Sequence, residues 1–583
     1  NIDRLKAEQE QAIGTLNELA TNLEAVLKDY HPYRLGMYEG KNGTVFSETL
    51  ELFGYILNRI NEPVPVLPAP VYNYLPLSRH LFSAKTGDYI VRTPEGKNHY
   101  GAILNLKEYP DGTYPGVLNG LKYLDVEYVI THSFSPMSRY DAMKTLERTR
   151  GMMISSGDKS FTQIAELDHA MDQLASGNFV LGGYHFSLAI YADSQEQLSQ
   201  NIAAARAELS NAGFVTTKED LAVCAAYYAQ LPGNWNYRTR IANLSSLNFL
   251  GLCPLHNFAA GKREGNPWGQ CVTVLQTTNG QPYYFNFHAT LEGEDSEGEK
   301  AIANTMVIGK SGTGKTALIN FLLSQVQKYD PKPTIFFFDK DRGAEIFVRA
   351  CGGAYMALES GQPTGFNPFQ CENTEANVQF LCGLMKQLGG KAHYSAAEDD
   401  DVLRAVRAML DTPPALRSIS NFQKSLPNTG DDSLYANIRK WTRGNSLGWV
   451  FDNPQDKIDF SGANIIGFDY TDVIENPQVR DPVIGYLIHR MEELIDGRRF
   501  IYIMDEFWKI LDGEGGLKEF AKNKQKTIRK QNGMGIFATQ SPEDALKSDI
   551  SAALIEQTAT MILLPNPNAD KKDYIDGLKL TDS

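Results

Sequence analysis

The sequence contains few cysteines and no apolar stretch of membrane-spanning length. Only six of its 583 residues are cysteine, and no two of them stand in a CxxC spacing. That scatter is typical of reduced thiols in a cytosolic protein and disfavours a zinc site. No apolar run approaches the roughly 20 residues that a transmembrane helix requires, and no secretory leader is recognisable. Because the first residue is Asn1 rather than methionine, we expect native residues, including any targeting signal, to precede it.

Composition and charge indicate a globular protein of several domains. Hydrophobic residues make up 42% of the chain and charged residues 22%, which is ordinary for soluble proteins. A chain of 583 residues is too long for a single core, so two or three domains are expected. The net charge of −14 disfavours a protein that wraps a long stretch of nucleic acid, although it leaves room for a local basic channel.

The first part of the chain mixes helix-like and strand-like segments without regular alternation. Amphipathic helices are predicted over residues 1–30 and 48–60, and short strands such as "GDYIVRT" and "YGAILNL" follow. This mixture predicts an α+β domain. The polar, glycine-rich segment Gly261–Gln270 is predicted to be exposed and to mark a domain boundary. We therefore assign residues 1–264 to an N-terminal α+β domain.

Residues 265–583 alternate between strands and helices. The segments "TIFFF", "NIIGFDY", "FIYIMDE", "MGIFATQ" and "MILLP" are nearly continuous apolar runs, separated by helical patterns. Runs of this kind occur in parallel sheets whose two faces are both covered by helices. The alternation stops between about residues 371 and 450, where the pattern is mostly helical. The second domain is thus predicted to be an α/β domain with a parallel sheet and a helical insertion.

The stretch "MVIGKSGTGKTALINF" has the strand, loop and helix of a phosphate-binding P-loop. Its centre fits the pattern G-x-x-x-x-G-K-[ST]. The glycines allow backbone N–H groups to point at phosphate, and the following helix adds the positive end of its dipole. Lys315 is predicted to contact the β- and γ-phosphates and Thr316 to supply a hydroxyl to Mg²⁺, whereas Lys310 is predicted to be solvated. The residues assigned to ATP binding are Gly309, Lys310, Ser311, Gly312, Thr313, Gly314, Lys315 and Thr316.

A second carboxylate motif indicates hydrolysis rather than binding alone. In "RRFIYIMDEFWKIL", Asp505 and Glu506 end an apolar strand. Asp505 is predicted to hold Mg²⁺ through water, and Glu506 to orient and deprotonate the attacking water. Two candidate strands lie between this motif and the P-loop in sequence, which suits a RecA-like sheet with an extra strand between the P-loop and carboxylate strands. That arrangement and the lack of an NKxD motif disfavour a small GTPase.

Three further sets of polar residues are candidates for the same site. Gln540 ends the strand "MGIFATQ" and is predicted to contact the γ-phosphate or the water, the alternative being an ordinary strand-end turn. The basic helix "LKEFAKNKQKTIRKQNG" is either a solvated face or the carrier of an arginine finger, Arg529 with Lys530, that reaches a neighbouring subunit. Asp339 and Asp341 in "FFFDKDRG" either lie near the nucleotide or form a plain strand-end turn.

The combination of these motifs resembles the CagE/TrbE/TrwK family, the large VirB-type ATPases of type IV secretion and conjugation systems. The segments that carry the resemblance are "GKSGTGKT", "FFFDKDRGAEIFVRACGG", "TGFNPF", "YIMDEFWKIL", "TIRKQNG" and "GIFATQSPED", with weaker support from "LPGN" and "GNPWG" nearer the N-terminus. The resemblance places the Walker A motif at Gly309–Thr316 and Walker B at Asp505 and Glu506. It also assigns the finger to Arg529 with Lys530, and the sensing glutamine to Gln540.

The family resemblance implies the biological setting of the chain. It implies a RecA-like ATPase that uses ATP and Mg²⁺ in the bacterial cytoplasm, peripheral on the cytoplasmic face of the inner membrane, where it energises pilus assembly and substrate transfer. Residues 1–264 would dock to the membrane complex. The implied partners are inner-membrane and channel subunits, other secretion ATPases and further copies of the chain in a hexamer or dimer. Family chains usually continue into C-terminal helices, whereas this sequence ends at "LKLTDS".

Two alternatives to this function remain open from the sequence. A DNA-translocating motor has the same core fold, and the basic helix supports it. Contact with DNA is compatible with the secretion function but is not required by it. A scaffold that binds nucleotide without turnover is a second, non-enzymatic alternative.

Overall fold

The computed structural model describes most of the chain and divides it into two compact units. The described residues are 2–30, 32–155, 161–253, 258–291, 294–458, 463–506, 525–542, 555, 557–566 and 572–578. Unit 1 comprises residues 1–259 and 276–281, and unit 2 comprises residues 260–275 and 282–583. The division after Ala259 lies near the boundary predicted after residue 264.

Unit 1 is built on an antiparallel sheet. The strands of unit 1 are β1 (Met37–Glu39), β2 (Val45–Ser47), β3 (Arg79–Phe82), β4 (Asp88–Arg92), β5 (Asn98–Glu108), β6 (Tyr128–Pro136), β7 (Leu181–Ala192), β8 (Val215–Lys218) and β9 (Ala242–Ser245). The sheet has the order β3-β4-β5-β7-β6, with β8 paired to β5 and β9 paired to β7. β1 and β2 form a separate antiparallel pair.

The helices of unit 1 are α1 (Ile2–Val26), α2 (Glu48–Asn58), α3 (Asn119–Lys122), α4 (Arg139–Ser155), α5 (Phe161–Ala175), α6 (Gln195–Asn211), α7 (Val223–Tyr228) and α8 (Ser246–Leu252). α1 has no buried residue, whereas helices such as α2, α6 and α7 pack on the two faces of the sheet. Side chains alternate along β7: Leu188 joins a core with α6, and Tyr191 joins a second core with α2 and α7. The prediction of an α+β fold for this part of the chain is confirmed.

Unit 2 contains a seven-stranded parallel sheet. A two-stranded pair precedes it, formed by β10 (Thr273–Gln276) and β11 (Pro282–Phe285). The sheet strands are β12 (Asn304–Ile308), β13 (Thr334–Asp339), β14 (Ala354–Ala357), β15 (Ile465–Asp469), β16 (Phe500–Met504), β17 (Gly533–Thr539) and β18 (Thr558–Leu563). Their order is β14-β15-β13-β16-β17-β12-β18, and every neighbouring pair is parallel.

This strand order is that of a RecA-like sheet, as predicted. The extra strand between the P-loop strand β12 and the carboxylate strand β16 is β17. The two candidate strands that precede β16 in sequence, β13 and β15, lie on its other side. Alternate residues of the strands enter two separate cores, as Phe336 and Phe337 of β13 do, so both faces of the sheet are covered.

The helices of unit 2 include the predicted insertion. They are α9 (Lys315–Gln325), α10 (Glu345–Ala350), α11 (Glu375–Gly389), α12 (Ala396–Asp411), α13 (Ile419–Lys424), α14 (Leu434–Ile438), α15 (Gly448–Phe451), α16 (Thr471–Ile474), α17 (Pro477–Glu492) and α18 (Gln525–Lys530). α11 to α15 follow one another between β14 and β15 without a strand among the described residues, which confirms a helical insertion. Local sequence defines their ends: Ser395 and Glu398 form a capping box at α12, and Gly390 ends α11 in a left-handed conformation.

The segment Gly261–Gln270 differs from its prediction. It was expected to be exposed, but Asn266 and Trp268 are buried, with relative exposures of 1% and 5%. The Trp268 indole packs against Tyr329 and donates its Nε1–H to Asn532 Oδ1 at 2.8 Å. The glycines and charges of the segment suggested a solvated linker, yet one tryptophan is enough to anchor it to the core because aromatic burial is strongly favourable.

Two predicted helices lie largely outside the described residues. Only α18 is described from the basic helix "LKEFAKNKQKTIRKQNG", and only residues 541, 542, 555 and 557–560 are described from the helical pattern between "MGIFATQ" and "MILLP". Of the helices that are described, none combines the length and the apolar character needed to cross a membrane.

Candidate functional site

The P-loop residues connect β12 to α9 at the carboxyl edge of the unit 2 sheet. β12 is fully buried, and Gly309 directly after it donates its N–H to Thr539 O of β17 at 3.1 Å. α9 begins at Lys315, the lysine of the motif. The N–H groups of the first turn of α9 have no partners within the helix, so this end of the loop offers donors to an anion.

Three glycines of the loop have backbone roles that a larger residue would disturb. Gly312 and Gly314 have φ angles of +83° and +93°, which L-residues rarely adopt. A Cβ on Gly309 would lie 2.7 Å from Leu564 Cδ1 and 2.9 Å from Thr313 Oγ1. The loop is therefore as tightly curled as a phosphate-binding loop requires.

The side chain of Lys315 lies between the two carboxylates of the second motif. Its Nζ is 2.9 Å from Asp505 Oδ1 and 3.3 Å from Glu506 Oε1. All three residues are buried, with relative exposures of 8% for Lys315, 8% for Asp505 and 3% for Glu506. The fold thus brings the predicted phosphate lysine onto predicted carboxylates that are 190 and 191 positions away in sequence.

The backbone at the second motif is strained. Glu506 has a φ angle of +51°, and its N–H donates to Asp505 Oδ1 at 3.1 Å. Such a conformation in a non-glycine residue is concentrated at functional sites, where the surrounding structure holds it. The main chain of Asp505 is held on both sides, because its N–H donates to Phe338 O and its carbonyl accepts from the Tyr470 hydroxyl. Burial raises the pKa of Asp505, and Lys315 opposes that rise.

Asp505 belongs to a line of three aspartates at adjoining strand ends. Asp339 ends β13 and is the register partner of Asp469, which ends β15. Asp505 directly follows β16, whose Met504 pairs with Phe338 of β13. Neighbouring strands lie about 4.8 Å apart. The three side chains therefore line the carboxyl edge of the sheet, and we refer to them as the aspartate row.

Asp339 is the most buried member of the aspartate row, with a relative exposure of 0%. Its Oδ2 accepts hydrogen bonds from the Tyr355 hydroxyl at 2.5 Å and from the Ala344 N–H at 2.9 Å. Its Oδ1 is buried and has no hydrogen-bond partner among the described residues. Burial is the main reason that the pKa of Asp339 rises to about 6. The two hydrogen bonds oppose the rise, and the charges of Asp505 and Asp469 add to it.

Gln540 is exposed and directly follows β17, beside the P-loop. Because β17 runs between β12 and β16, Gln540 lies between the strand that precedes Lys315 and the strand that precedes Asp505. Its location suits contact with a phosphate or with the attacking water. The role itself stays a prediction.

Arg529 and Lys530 lie at the opposite edge of the sheet from the P-loop. Both are exposed on α18, and the Nε–H of Arg529 donates to Lys300 O at 3.0 Å. β17 separates α18 from the carboxyl edge, and at about 3.3 Å per residue its length is about 20 Å. The structure therefore does not bring these residues to Lys315 of the same chain. Lys518, Lys522 and Lys524 of the predicted basic helix lie outside the described residues.

The remaining loop residues follow the predicted pattern. Lys310 and Ser311 are exposed, and Lys310 O accepts the Thr313 hydroxyl at 2.7 Å, which closes the turn. Thr316 is half-buried on the first turn of α9.

Sequence reasoning missed Asp469 and Tyr470. Asp469 accepts from Arg342 Nε at 3.3 Å, and Tyr470 contacts Asp505 as described above. The signal was available, because "NIIGFDY" ends a buried strand in aspartate just as "TIFFFD" does. Asp341 behaves differently: its φ of +59° and its exposed side chain identify a plain turn.

This arrangement of residues fits a nucleotide with its magnesium ion. The loop N–H groups and the Lys315 ammonium are donors for phosphate oxygens. The hydroxyl of Thr316 and the carboxylate of Asp505 are the oxygen ligands that Mg²⁺ prefers. The unpartnered Oδ1 of the buried Asp339 adds negative charge that a nearby cation would offset.

We expect Asp339→Asn to stabilise the nucleotide-free protein near neutral pH. An aspartate in an unfolded chain titrates near pH 4, whereas the pKa of Asp339 in the folded protein is about 6. Folding therefore takes up a proton between these values, and the wild-type protein loses stability as the pH rises from about 4 to about 6. A pKa that is higher by roughly two in the folded protein corresponds to a loss of about 3 kcal/mol in the free energy of unfolding. The neutral side chain of Asp339→Asn avoids this loss, so about 3 kcal/mol is the upper limit of the stabilisation.

Thermal unfolding in EDTA without nucleotide measures this effect. The Tm of Asp339→Asn should exceed that of the wild type at about pH 7.5, and the difference should shrink by about half at about pH 5. Asp341→Asn, in the exposed turn, is the matched control and should show no such dependence. A Tm difference that is the same at both pH values would contradict the assignment.

Comparison with known proteins identifies the family. Residues 33–240 match the profile of the CagE, TrbE, VirB family, described as a component of the type IV transporter system, and residues 429–581 match the TraG P-loop domain. The VirB4 type IV secretion protein of Brucella abortus is 43% identical over 98% of this chain and 71% of its own length. PtlC of Bordetella pertussis is 42% identical over 97% of this chain and 71% of its own length.

A solved VirB4 structure from Thermoanaerobacter pseudethanolicus is 18% identical, with a TM-score of 0.43 over 53% of this chain and 87% of that chain. Similarity at that level carries no functional argument. The Brucella and Bordetella relatives match nearly the whole of this chain at more than 40% sequence identity, which is enough to assign the family. The chain belongs to the VirB4 family of type IV secretion system proteins.

Proposed function

We propose that this chain is an ATP-hydrolysing motor that energises pilus assembly and substrate transfer by a type IV secretion system. The observation that carries the proposal is the buried contact of Lys315 with Asp505 and Glu506. A lysine for phosphate, a carboxylate for Mg²⁺ and a carboxylate for water are the parts that a hydrolytic P-loop enzyme requires. Membership of the VirB4 family supports the secretion setting.

In the proposed reaction, ATP and water give ADP and phosphate. The residues Gly309–Thr316 bind the phosphates, and Thr316 with Asp505 holds Mg²⁺. When bound there, Mg²⁺ would supply positive charge that offsets the charge of the phosphate oxygens. When the Lys315 ammonium turns to the phosphate oxygens, its contact with Glu506 is broken, and the Glu506 carboxylate accepts the proton of the attacking water. Gln540 orients that water or contacts the γ-phosphate.

The finger residues act on a neighbouring subunit in this proposal. Arg529 and Lys530 are exposed and lie about 20 Å from the P-loop edge of their own sheet, by strand length. An arginine that stabilises transition-state charge must touch the phosphate, so only a second copy of the chain provides a site within its reach. This requirement supports a homo-oligomer, either a hexamer or a dimer.

The proposed location and partners follow from the family. The chain would act in the bacterial cytoplasm, peripheral on the cytoplasmic face of the inner membrane. Residues 1–264 would form the domain that docks to inner-membrane and channel subunits, and other secretion ATPases would be further partners.

We expect Glu506→Gln to abolish turnover and to retain ATP. Removal of a general base typically costs 10²–10⁴-fold in rate, while the amide keeps the shape of the side chain and leaves the loop intact. Phosphate release and binding of a fluorescent ATP analogue are the two measurements. Lys315→Ala should instead weaken binding and block transfer in cells. If Glu506→Gln hydrolyses ATP at the wild-type rate, the assigned base is wrong. If the wild type itself releases no phosphate, the scaffold alternative is favoured.

Mixing two inactive variants tests finger action between subunits. Arg529→Ala should lose roughly 10³–10⁵ in rate, as known arginine fingers do. In mixed oligomers of Arg529→Ala and Glu506→Gln, an intact Glu506 meets an intact Arg529 at some interfaces, and part of the activity should return. Oligomers of either variant alone are the controls. Failure of every mixture to regain activity would remove the support for this arrangement.

A DNA-translocating motor is the alternative function that the exposed basic end of α18 favours. The ATPase rate in the presence and absence of duplex and single-stranded DNA separates the two functions. We expect the rate to be unchanged, because the proposed work is done on protein subunits. Strong stimulation by either form of DNA would favour the alternative.

A further inference from the structure

Asp339 differs from the other members of the aspartate row in having no cation. Asp505 pairs with Lys315, and Asp469 pairs with Arg342 at 3.3 Å. Asp339 forms no ion pair among the described residues, although it is the most buried of the three. A buried carboxylate is normally paired with a cation or metal, or it is neutral. Within the part of the chain that the structure describes, the row therefore contains one carboxylate that no cation pairs with.

The orientation of the Asp339 carboxylate is fixed, and one oxygen is left over. The Tyr355 hydroxyl and the Ala344 N–H both hold Oδ2. Gly343 lies near both Asp339 and Thr316. A Cβ atom added to Gly343 would be 3.7 Å from Oδ1 of Asp339 and 2.9 Å from Cγ2 of Thr316. The free oxygen is thus on the side of the predicted magnesium ligand Thr316. Glycine at position 343 leaves the space between them open.

A structural role accounts for Oδ2 but not for Oδ1. The two hydrogen bonds to Oδ2 tie β13 to β14 and to the loop before α10, and an asparagine could accept both. An unsatisfied buried acceptor costs about 1–3 kcal/mol, and more when it is charged. A donor or a positive charge that arrives only with the ligand would remove this cost. Mg²⁺ at a nucleotide site has both properties, because it retains several water ligands that donate hydrogen bonds.

We propose that Asp339 is a positioning residue for the magnesium ion of the bound nucleotide, accepting a hydrogen bond at Oδ1 from one of the metal's water ligands. The inference rests on the proposed function, since it requires Mg²⁺ held by Thr316 and Asp505. Tyr355 holds the carboxylate in the orientation that presents Oδ1.

Binding of a fluorescent ATP analogue to the full chain, titrated with Mg²⁺ and repeated in EDTA, tests this assignment. Outer-shell partners of metals typically contribute 10–100-fold to metal affinity. Asp339→Asn should therefore raise the Mg²⁺ concentration for half-maximal tight binding by about 10-fold or more, and should leave the Mg²⁺-free affinity unchanged. Tyr355→Phe keeps the carboxylate but loosens it, and should shift the titration in the same direction by a smaller factor.

Asp341→Asn is the matched control, because it makes the same chemical change two residues away at an exposed side chain of the turn. Its Mg²⁺ dependence should equal that of the wild type. A wild-type Mg²⁺ dependence in both Asp339→Asn and Tyr355→Phe would overturn the inference. So would an equal loss of affinity with and without Mg²⁺, which indicates a structural effect only. If wild type and Lys315→Ala bind the analogue equally weakly, the proposed function fails instead, and the two failures are distinguishable.

Discussion

The ammonium of Lys315 lies between two buried carboxylates and offsets part of their charge, and the rest of the site depends on that contact. Asp505 and Glu506 are buried side by side, and unpaired charges there would strongly oppose folding. The contact also holds the lysine, the carboxylate strand and the P-loop in one place before any ligand binds. A ligand that brings phosphate and a divalent cation would replace these contacts, because Lys315 would then pair with phosphate and Asp505 with the cation. The same residues thus serve stability in one state and chemistry in the other.

The sheet sets the geometry in which this exchange takes place. β17 separates β12 from β16, which leaves a gap of one strand between the lysine loop and the carboxylate motif. A lysine side chain spans that gap, and Gln540 at the end of β17 lies within it. Parallel strands with both faces covered have little freedom to slide, because each residue is packed from above and below. The positions of the site residues are therefore fixed by the burial of the strands that carry them, including parts of those strands far from the P-loop.

The sequence predicted the parallel sheet, the P-loop and the carboxylate motif because each has a strong local pattern. Apolar runs identified the strands, and a fixed glycine and lysine spacing identified the loop. Trp268 was missed because a short polar segment gives no sign of a single buried aromatic. The aspartate row was missed as a unit because its members are adjacent only through strand order, and no local pattern states which strands are neighbours. Asp339 and Asp341 stand two residues apart in the same short segment of sequence. The structure distinguishes them, because Asp339 is buried at the site and Asp341 is exposed in a turn.

The pairing of β12 with β17 has a mechanical consequence. At one end the pair carries the P-loop, tied by Gly309 to Thr539, and at the other end Arg529 is tied to Lys300 just before β12. Two hydrogen-bonded strands in the middle of a sheet behave as a stiff rod. The length of the two strands therefore fixes the separation between the P-loop and Arg529 at about 20 Å. In an oligomer with the finger arrangement proposed above, each subunit would then present its finger at a set distance from its own loop, so the spacing of the sites around the assembly would be determined by the length of one pair of strands.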